Sequence, residues 1–194
     1  MFAENRRLER KIAVPDTVKA KFAVTEIVDL TKSEIAGIFL EGTGSMVLDR
    51  GNKIAYACLS PRINETKLNE FCKLFDYKPV TFRATDDTGV DIYHTNVIMC
   101  FAKSFAVVCL QSVIDKEEKA TLVNILKNTG KEIIDITLHQ LNNYAGNMLQ
   151  VRNEDDELLL VMSTQAYQSL IAMQTELLQK HNRIIHSSLN SRRR

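Results

Sequence analysis

The sequence predicts an α/β fold that repeats one unit of strand, strand, helix and strand. Three copies of this pattern cover about residues 45–84, 97–136 and 147–186. Met46, Val97 and Met148 stand at equivalent points of the three copies and are 51 residues apart (97 − 46 and 148 − 97). Since equivalent positions of a repeat lie at similar distances from a common axis, we expect the segments before these residues to converge.

Each copy opens with a predicted hairpin, because turn-forming residues separate two apolar runs. The predicted elements are strands 45–49, 53–59 and 79–84 with helix 64–75; strands 97–101, 105–110 and 132–136 with helix 115–128; and strands 147–151, 158–162 and 183–186 with helices within 164–180. Asn64, Asp115 and Ser163 are predicted to cap these helices, and Gly130 to follow the end of the second one.

The two ends of the chain are less regular. Residues 1–44 are predicted to hold a strand at 21–28 and a short helix within 30–38, and we expect them to be the remnant of a preceding unit. Residues 187–194, which end in three arginines, are expected to form a solvated tail. The chain is thus expected to be a fragment of a larger repeat.

Charge and hydropathy exclude several classes of function. The 25 Lys and Arg residues balance 24 Asp and Glu residues, which argues against a nucleic-acid partner. No apolar run approaches the roughly 20 residues of a membrane helix, and no secretory leader is visible, so we expect a cytoplasmic protein that contacts no membrane. The four cysteines form no metal-binding pattern; we expect buried, reduced thiols, no metal and no cofactor.

Short polar segments precede the three first strands, at 41–45, 94–96 and 145–147. Glu41 lies beside a Gly-Thr-Gly run, where its carboxylate can receive a cation; the alternative is an ordinary loop glutamate. His94 occupies the equivalent segment of the second copy and is placed as a general acid/base; the alternative is a structural histidine. Arg62 can grip a carboxylate with two hydrogen bonds, or else pair with Glu65 at the surface.

Four motifs in order resemble the citrulline-utilisation hydrolase branch of the amidinotransferase family, in the arginine deiminase-like (pentein) superfamily. They are LEGTGSM at 40–46, SPR at 60–62, YHTNV at 93–97 and AGNMLQ at 145–150. The resemblance implies an α/β propeller with pseudo-fivefold symmetry, of which this chain would hold about three units. It also implies a hydrolase or deiminase that attacks an arginine-, methylarginine- or citrulline-like substrate with a cysteine.

The resemblance also implies roles for individual residues. His94 would protonate the leaving amine and activate water, and Glu41 would hold the guanidinium nitrogens. Arg62 would bind the substrate carboxylate, while Asn96 and Asn147 would line the substrate site. The expected partner is therefore a small guanidino or ureido molecule.

The chain departs from the family pattern at both ends. The preceding units of the family, which carry a Phe-Pro-Asn-Asn-Trp motif, have no counterpart in the sequence, and none of its cysteines lies in the Gly-rich loop that holds the family's nucleophile. An apolar strand setting for Cys100 would raise its pKa and blunt its reactivity. We therefore expect a member truncated at both ends and inactive alone. The alternative is a non-catalytic guanidino-binding module, or one that self-associates through exposed edges of its units. An unrelated α/β binding domain is a third reading.

Overall fold

A computed structural model describes residues 2, 4–11 and 13–188; the three terminal arginines lie outside this part. The described chain forms three separate three-stranded sheets. Sheet 1 contains β1 (Val47–Asp49), β2 (Ile54–Cys58) and β3 (Lys78–Phe82); sheet 2 contains β4 (Met99–Phe101), β5 (Phe105–Val108) and β6 (Glu132–Asp135); sheet 3 contains β7 (Leu149–Arg152), β8 (Leu158–Ser163) and β9 (Arg183–Ser187). In each sheet the first pair is antiparallel and the second parallel.

Helices connect the parallel strands, as a parallel pair requires a long crossover. The helices are α1 (Ala13–Lys21), α2 (Gly42–Ser45), α3 (Glu65–Phe75), α4 (Thr95–Ile98), α5 (Lys116–Asn128), α6 (Leu138–Asn142), α7 (Thr164–Ser169) and α8 (Ala172–Gln179), with 3-10 turns at Glu4–Glu9 and Thr31–Ala36. The predicted caps are confirmed: the side chains of Asn64, Asp115 and Ser163 accept backbone N–H groups in the first turns of α3, α5 and α7.

The main core lies between neighbouring sheets. Helix α5 contacts both β3 of sheet 1 and β6 of sheet 2, so its apolar side is covered on two flanks. Leu122 and Leu126 of this helix are fully buried, as are Tyr56 of sheet 1 and Phe105 of sheet 2. This burial of aliphatic and aromatic surface is the main force that holds the units together.

Two predictions about strands were wrong. The strand predicted at 21–28 is absent, because Lys21 ends α1 and the next nine residues form no regular structure. Val24, Ile27 and Val28 are exposed there, without a partner strand among the described residues.

The first strands of the units also begin later than predicted. Ser45 belongs to the single-turn helix α2, and Val97 belongs to α4, so these strands begin at Val47 and Met99. The side chain of Thr95 explains the turn: its hydroxyl donates to the Ser45 carbonyl at 2.5 Å and accepts the Cys58 N–H at 2.8 Å. Apolar periodicity does not reveal such a side chain bridge.

No helix in the described part of the chain has both the length and the apolar character needed to cross a membrane.

Candidate functional site

Glu41 is fixed at the start of helix α2 by backbone contacts with the segment that precedes α3. Its N–H donates to the Arg62 carbonyl at 3.3 Å, and Leu40 forms an antiparallel bridge with Ile63. Gly42 follows with a φ of 54°, a left-handed conformation that favours glycine. These constraints leave the Glu41 side chain only 7% exposed.

His94 lies at the N-cap of helix α4, where its extended backbone directs the ring toward Glu41. The His94 Nε2 atom is 3.2 Å from Glu41 Oε2, and its side chain is 11% exposed. The other carboxylate oxygen of Glu41 accepts the Phe2 N–H at 2.5 Å. A carboxylate and an imidazole that are 53 positions apart in sequence therefore share one hydrogen-bonded site.

Gly44 allows this approach, since a side chain there would meet the His94 ring. A Cβ atom on Gly44 would lie 2.6 Å from His94 Nδ1 and 2.9 Å from its Cε1 atom. Both distances are shorter than carbon–nitrogen or carbon–carbon contacts allow. The second glycine of the Gly-Thr-Gly run is thus a requirement of packing against the histidine.

The site opens into a cavity of about 510 Å³. The residues that line it are Arg10, Leu30, Thr31, Ser33, Glu34, Ile38, Leu40, Glu41, Gly42, Gly44, Lys67, His94 and Asn96. Arg10 forms an ion pair with Glu34 and lowers the pKa of that carboxyl. Lys67 pairs with Glu70 at 2.7 Å. The cationic groups named on these walls are therefore already paired with acidic ones.

The five residues predicted for the site do not all meet. Glu41, His94 and Asn96 line the cavity, and the Arg62 guanidinium lies beside it, 3.7 Å from Glu41 Oε2. Asn147 is exposed and is not among the residues that line the cavity.

The segment around Asn147 packs against the second polar segment. A Cβ atom on Gly146 would lie 2.1 Å from the Val97 carbonyl oxygen, so the backbones of the second and third polar segments touch. With the Thr95–Ser45 hydrogen bond, this contact brings all three polar segments to one region of the molecule. Two of the three carry the candidate chemistry.

The four cysteines are all buried. Burial raises the pKa of the Cys58 and Cys100 thiols to about 12, and it raises that of Cys72 and Cys109 as well. A thiol with such a pKa carries almost no nucleophilic thiolate near neutral pH. Within the described residues, no three His, Cys, Asp or Glu side chains are grouped so that they could hold a metal ion.

The arrangement is suited to hold a planar cation and to move a proton. A carboxylate accepts charge-assisted hydrogen bonds from a guanidinium, and an imidazole beside it can exchange a proton with a bound group. Sequence reasoning missed Arg10 and Glu34 because they lie in the irregular segment before the first repeat. It also missed Thr95, although this residue stands inside the motif that contains His94.

Comparisons with known proteins identify the family of the chain. The family model of eukaryotic N,N-dimethylarginine dimethylhydrolases matches residues 1–192. No curated protein sequence matches the chain.

Solved structures with the same fold come from larger proteins. Apo ArgZ, an arginine dihydrolase of the ornithine–ammonia cycle in cyanobacteria, aligns with a TM-score of 0.70 at 16% identity, over 97% of this chain and 27% of that one. The N-terminal domain of ArgZ bound covalently to a reaction intermediate gives 0.69 at 16% identity, over 96% and 61%. An AgrE mutant in complex with L-arginine gives 0.63 at 17% identity, over 90% and 23%.

The chain thus spans less than two thirds of the length of each of these structures. The alignments show a shared mixed α/β fold, while the match of the family model extends over nearly the whole sequence. The superfamily predicted from the motifs is confirmed: the chain belongs to the eukaryotic N,N-dimethylarginine dimethylhydrolase family, within the arginine deiminase-like (pentein) superfamily.

Proposed function

We propose that the site formed by Glu41 and His94 binds a guanidinium or ureido group for hydrolysis of a C–N bond. The observation that carries this proposal is the 3.2 Å contact between His94 Nε2 and Glu41 Oε2 on the wall of a cavity. The substrate class is a free arginine or methylarginine, since the matching family is named for N,N-dimethylarginine. A guanidinium presents several N–H donors in one plane, and a carboxylate matches two of them.

The proposed reaction divides the work between three groups. Glu41 orients the planar cation, and a thiolate attacks its central carbon to form a C–S bond. His94 gives its proton to the amine that leaves. It then takes a proton from a water molecule, whose oxygen attacks the same carbon and displaces the thiolate as the C–S bond breaks. Because all four cysteines are buried and burial raises their pKa, we propose that the attacking thiolate is not one of them.

A test of the binding step needs no nucleophile. Calorimetric titration with N,N-dimethylarginine is expected to show binding to the wild-type chain and roughly 10- to 100-fold weaker binding to Glu41→Gln, which removes the negative charge with little change of shape. Glu157→Gln is the matched control, because Glu157 pairs with Arg183 at the edge of sheet 3. Equal affinity of Glu41→Gln and the wild type would contradict the proposal.

A second test measures whether the chain alone catalyses the reaction. We expect no release of amine or ammonia from the chain alone, because its thiols are buried. Amine release that requires His94 but survives replacement of all four cysteines by serine would contradict the thiol mechanism.

The fold proposal is that the three sheets are consecutive units of a propeller, with boundaries at about 45–84, 97–136 and 147–186. The strand registers support equivalent triplets across the sheets: Val47, Tyr56 and Val80; Cys100, Val107 and Ile134; Leu149, Val161 and Ile185. In the first two sheets these triplets belong to the main core, in which Val47 is partly buried and the other five residues are buried. In sheet 3 they are exposed by 63%, 37% and 38% of their area.

A second candidate function, association through sheet 3, is favoured by this exposed triplet. In sheets 1 and 2 the corresponding residues are covered by the rest of the main core. The exposed apolar triplet of sheet 3 therefore favours contact with a similar unit from a second copy of the chain. Sedimentation velocity is expected to show concentration-dependent association of the wild-type chain and at least tenfold weaker association of Val161→Lys, which places a charge in the contact. Val90→Lys is the control, because Val90 is an exposed valine in the loop before α4. A wild-type chain that stays monomeric would rule out self-association through this face.

A further inference from the structure

Arg62 presents a guanidinium to the same carboxylate oxygen that faces His94. Its Nη1 atom is 3.7 Å from Glu41 Oε2, and its guanidinium carbon is 4.5 Å from the centre of the Tyr93 ring. The Phe2 N–H occupies the other carboxylate oxygen. The protein therefore places a cation of its own, with the chemistry of the proposed ligand, next to Glu41.

We propose that Arg62 competes with the ligand guanidinium for Glu41, and that Tyr93 holds it in the competing position. The inference rests on the proposed function of the Glu41–His94 site. Arg62 and Tyr93 would then determine ligand specificity. A ligand that also carries a carboxylate gives Arg62 a new partner and draws it away from Glu41. A guanidino compound without a carboxylate must displace Arg62 from Glu41 and supplies no new ion-pair partner for it.

The competition follows from tethering. The Arg62 and Glu41 backbones are joined by the hydrogen bond from the Glu41 N–H to the Arg62 carbonyl, so the two side chains stay within reach of each other. A tethered group acts at a high effective concentration even when its individual contact is weak. The Arg62 side chain is 22% exposed, which leaves room for it to swing toward a ligand.

Tyr93 is positioned to hold the arginine. Its carbonyl accepts the Ser60 hydroxyl at 2.9 Å, which links the loop before α4 to the segment that contains Arg62. Its ring lies under the guanidinium of Arg62, and its centre is 5.0 Å from that of the His94 ring. An aromatic face attracts a cation placed over it, so Tyr93 is a positioning residue rather than a group that touches the reacting atoms.

The test compares two ligands that differ by one carboxylate, L-arginine and agmatine, by calorimetry. In Arg62→Ala, affinity for L-arginine is expected to fall about tenfold, because the carboxylate loses its partner. Affinity for agmatine is expected to rise about three- to tenfold, because the tethered competitor is gone. Arg62→Gln provides a second variant that keeps a polar side chain if the alanine variant folds poorly.

Tyr93 is tested by a pair of variants. Tyr93→Ala is expected to raise agmatine affinity about twofold or more by releasing Arg62, whereas Tyr93→Phe keeps the ring and the wild-type preference. Unchanged agmatine affinity in both Arg62 variants would overturn the inference while leaving the proposed function intact. If neither the wild-type chain nor Glu41→Gln bound either ligand, both the inference and the proposed function would be overturned.

Discussion

Replacing Gly146 by alanine is expected to lower the melting temperature of the chain by about 5–10 °C. The added Cβ atom would lie 2.1 Å from the Val97 carbonyl oxygen and 3.0 Å from the Ile98 carbonyl carbon. These are backbone atoms, so the clash is relieved only if the second and third units move apart. Overpacking of this kind costs about 1–3 kcal/mol, and each kcal/mol shifts the melting temperature of a chain of this size by about 2–4 °C.

Gly51→Ala is the matched control for that experiment. A Cβ atom there would meet only Asp49 Oδ1, at an ordinary contact distance of 3.6 Å. Thermal unfolding followed by circular dichroism should therefore separate the two variants. Equal melting temperatures would show that the backbones of residues 97 and 146 are not in contact.

Gly44→Ala is expected to weaken guanidino binding by about tenfold or more while the fold persists. The new methyl group would overlap the His94 ring, which is a side chain and can rotate away, so the cost falls on the site rather than on the core. Rotation of the ring separates Nε2 from Glu41 and opens the cavity wall. Loss of a hydrogen bond to a charged group costs about 1.5–3 kcal/mol, which corresponds to a roughly tenfold or larger loss of affinity.

The measurement for Gly44→Ala is calorimetric titration with N,N-dimethylarginine, together with the melting temperature. Gly51→Ala serves again as the control, because it adds the same methyl group in the β1–β2 turn, away from the cavity. Wild-type affinity in Gly44→Ala would mean that the His94 ring does not lie against the Gly-Thr-Gly turn.

The helices and the hairpins could be predicted because their signals are local. Asn64, Asp115 and Ser163 each bond to an N–H two or three residues ahead, so a short window of sequence contains both partners. Gly130 follows the end of α5 with a φ of 74°, as its position after the apolar pattern predicts. Such contacts are the same wherever the helix packs.

The short helices α2 and α4 could not be predicted, since the bonds that form them cross between units. Thr95 receives the Cys58 N–H and donates to the Ser45 carbonyl, and neither partner is near it in sequence. The apolar residues that follow, such as Val97, fit a strand equally well. Tertiary contacts decide between the two conformations.

Only part of the candidate site could be predicted from the sequence. The repeat spacing pointed to Glu41 and His94 as neighbours, and the structure places them 3.2 Å apart. Their spacing did not reveal that Arg10 and Glu34 also line the cavity, because the segment that holds them has no repeat pattern. Asn147 does not line the cavity, and the contact that its segment makes with the second polar segment is a backbone contact at Gly146.

The most direct test of the shared site is to follow the ring nitrogens of His94 by NMR while N,N-dimethylarginine is added. The account predicts that these resonances shift in the wild-type chain as the ligand saturates, and that the same additions leave them unmoved in Glu41→Gln. Ligand binding that leaves the His94 resonances unshifted and that persists in Glu41→Gln would contradict the claim that these two side chains form the guanidinium site.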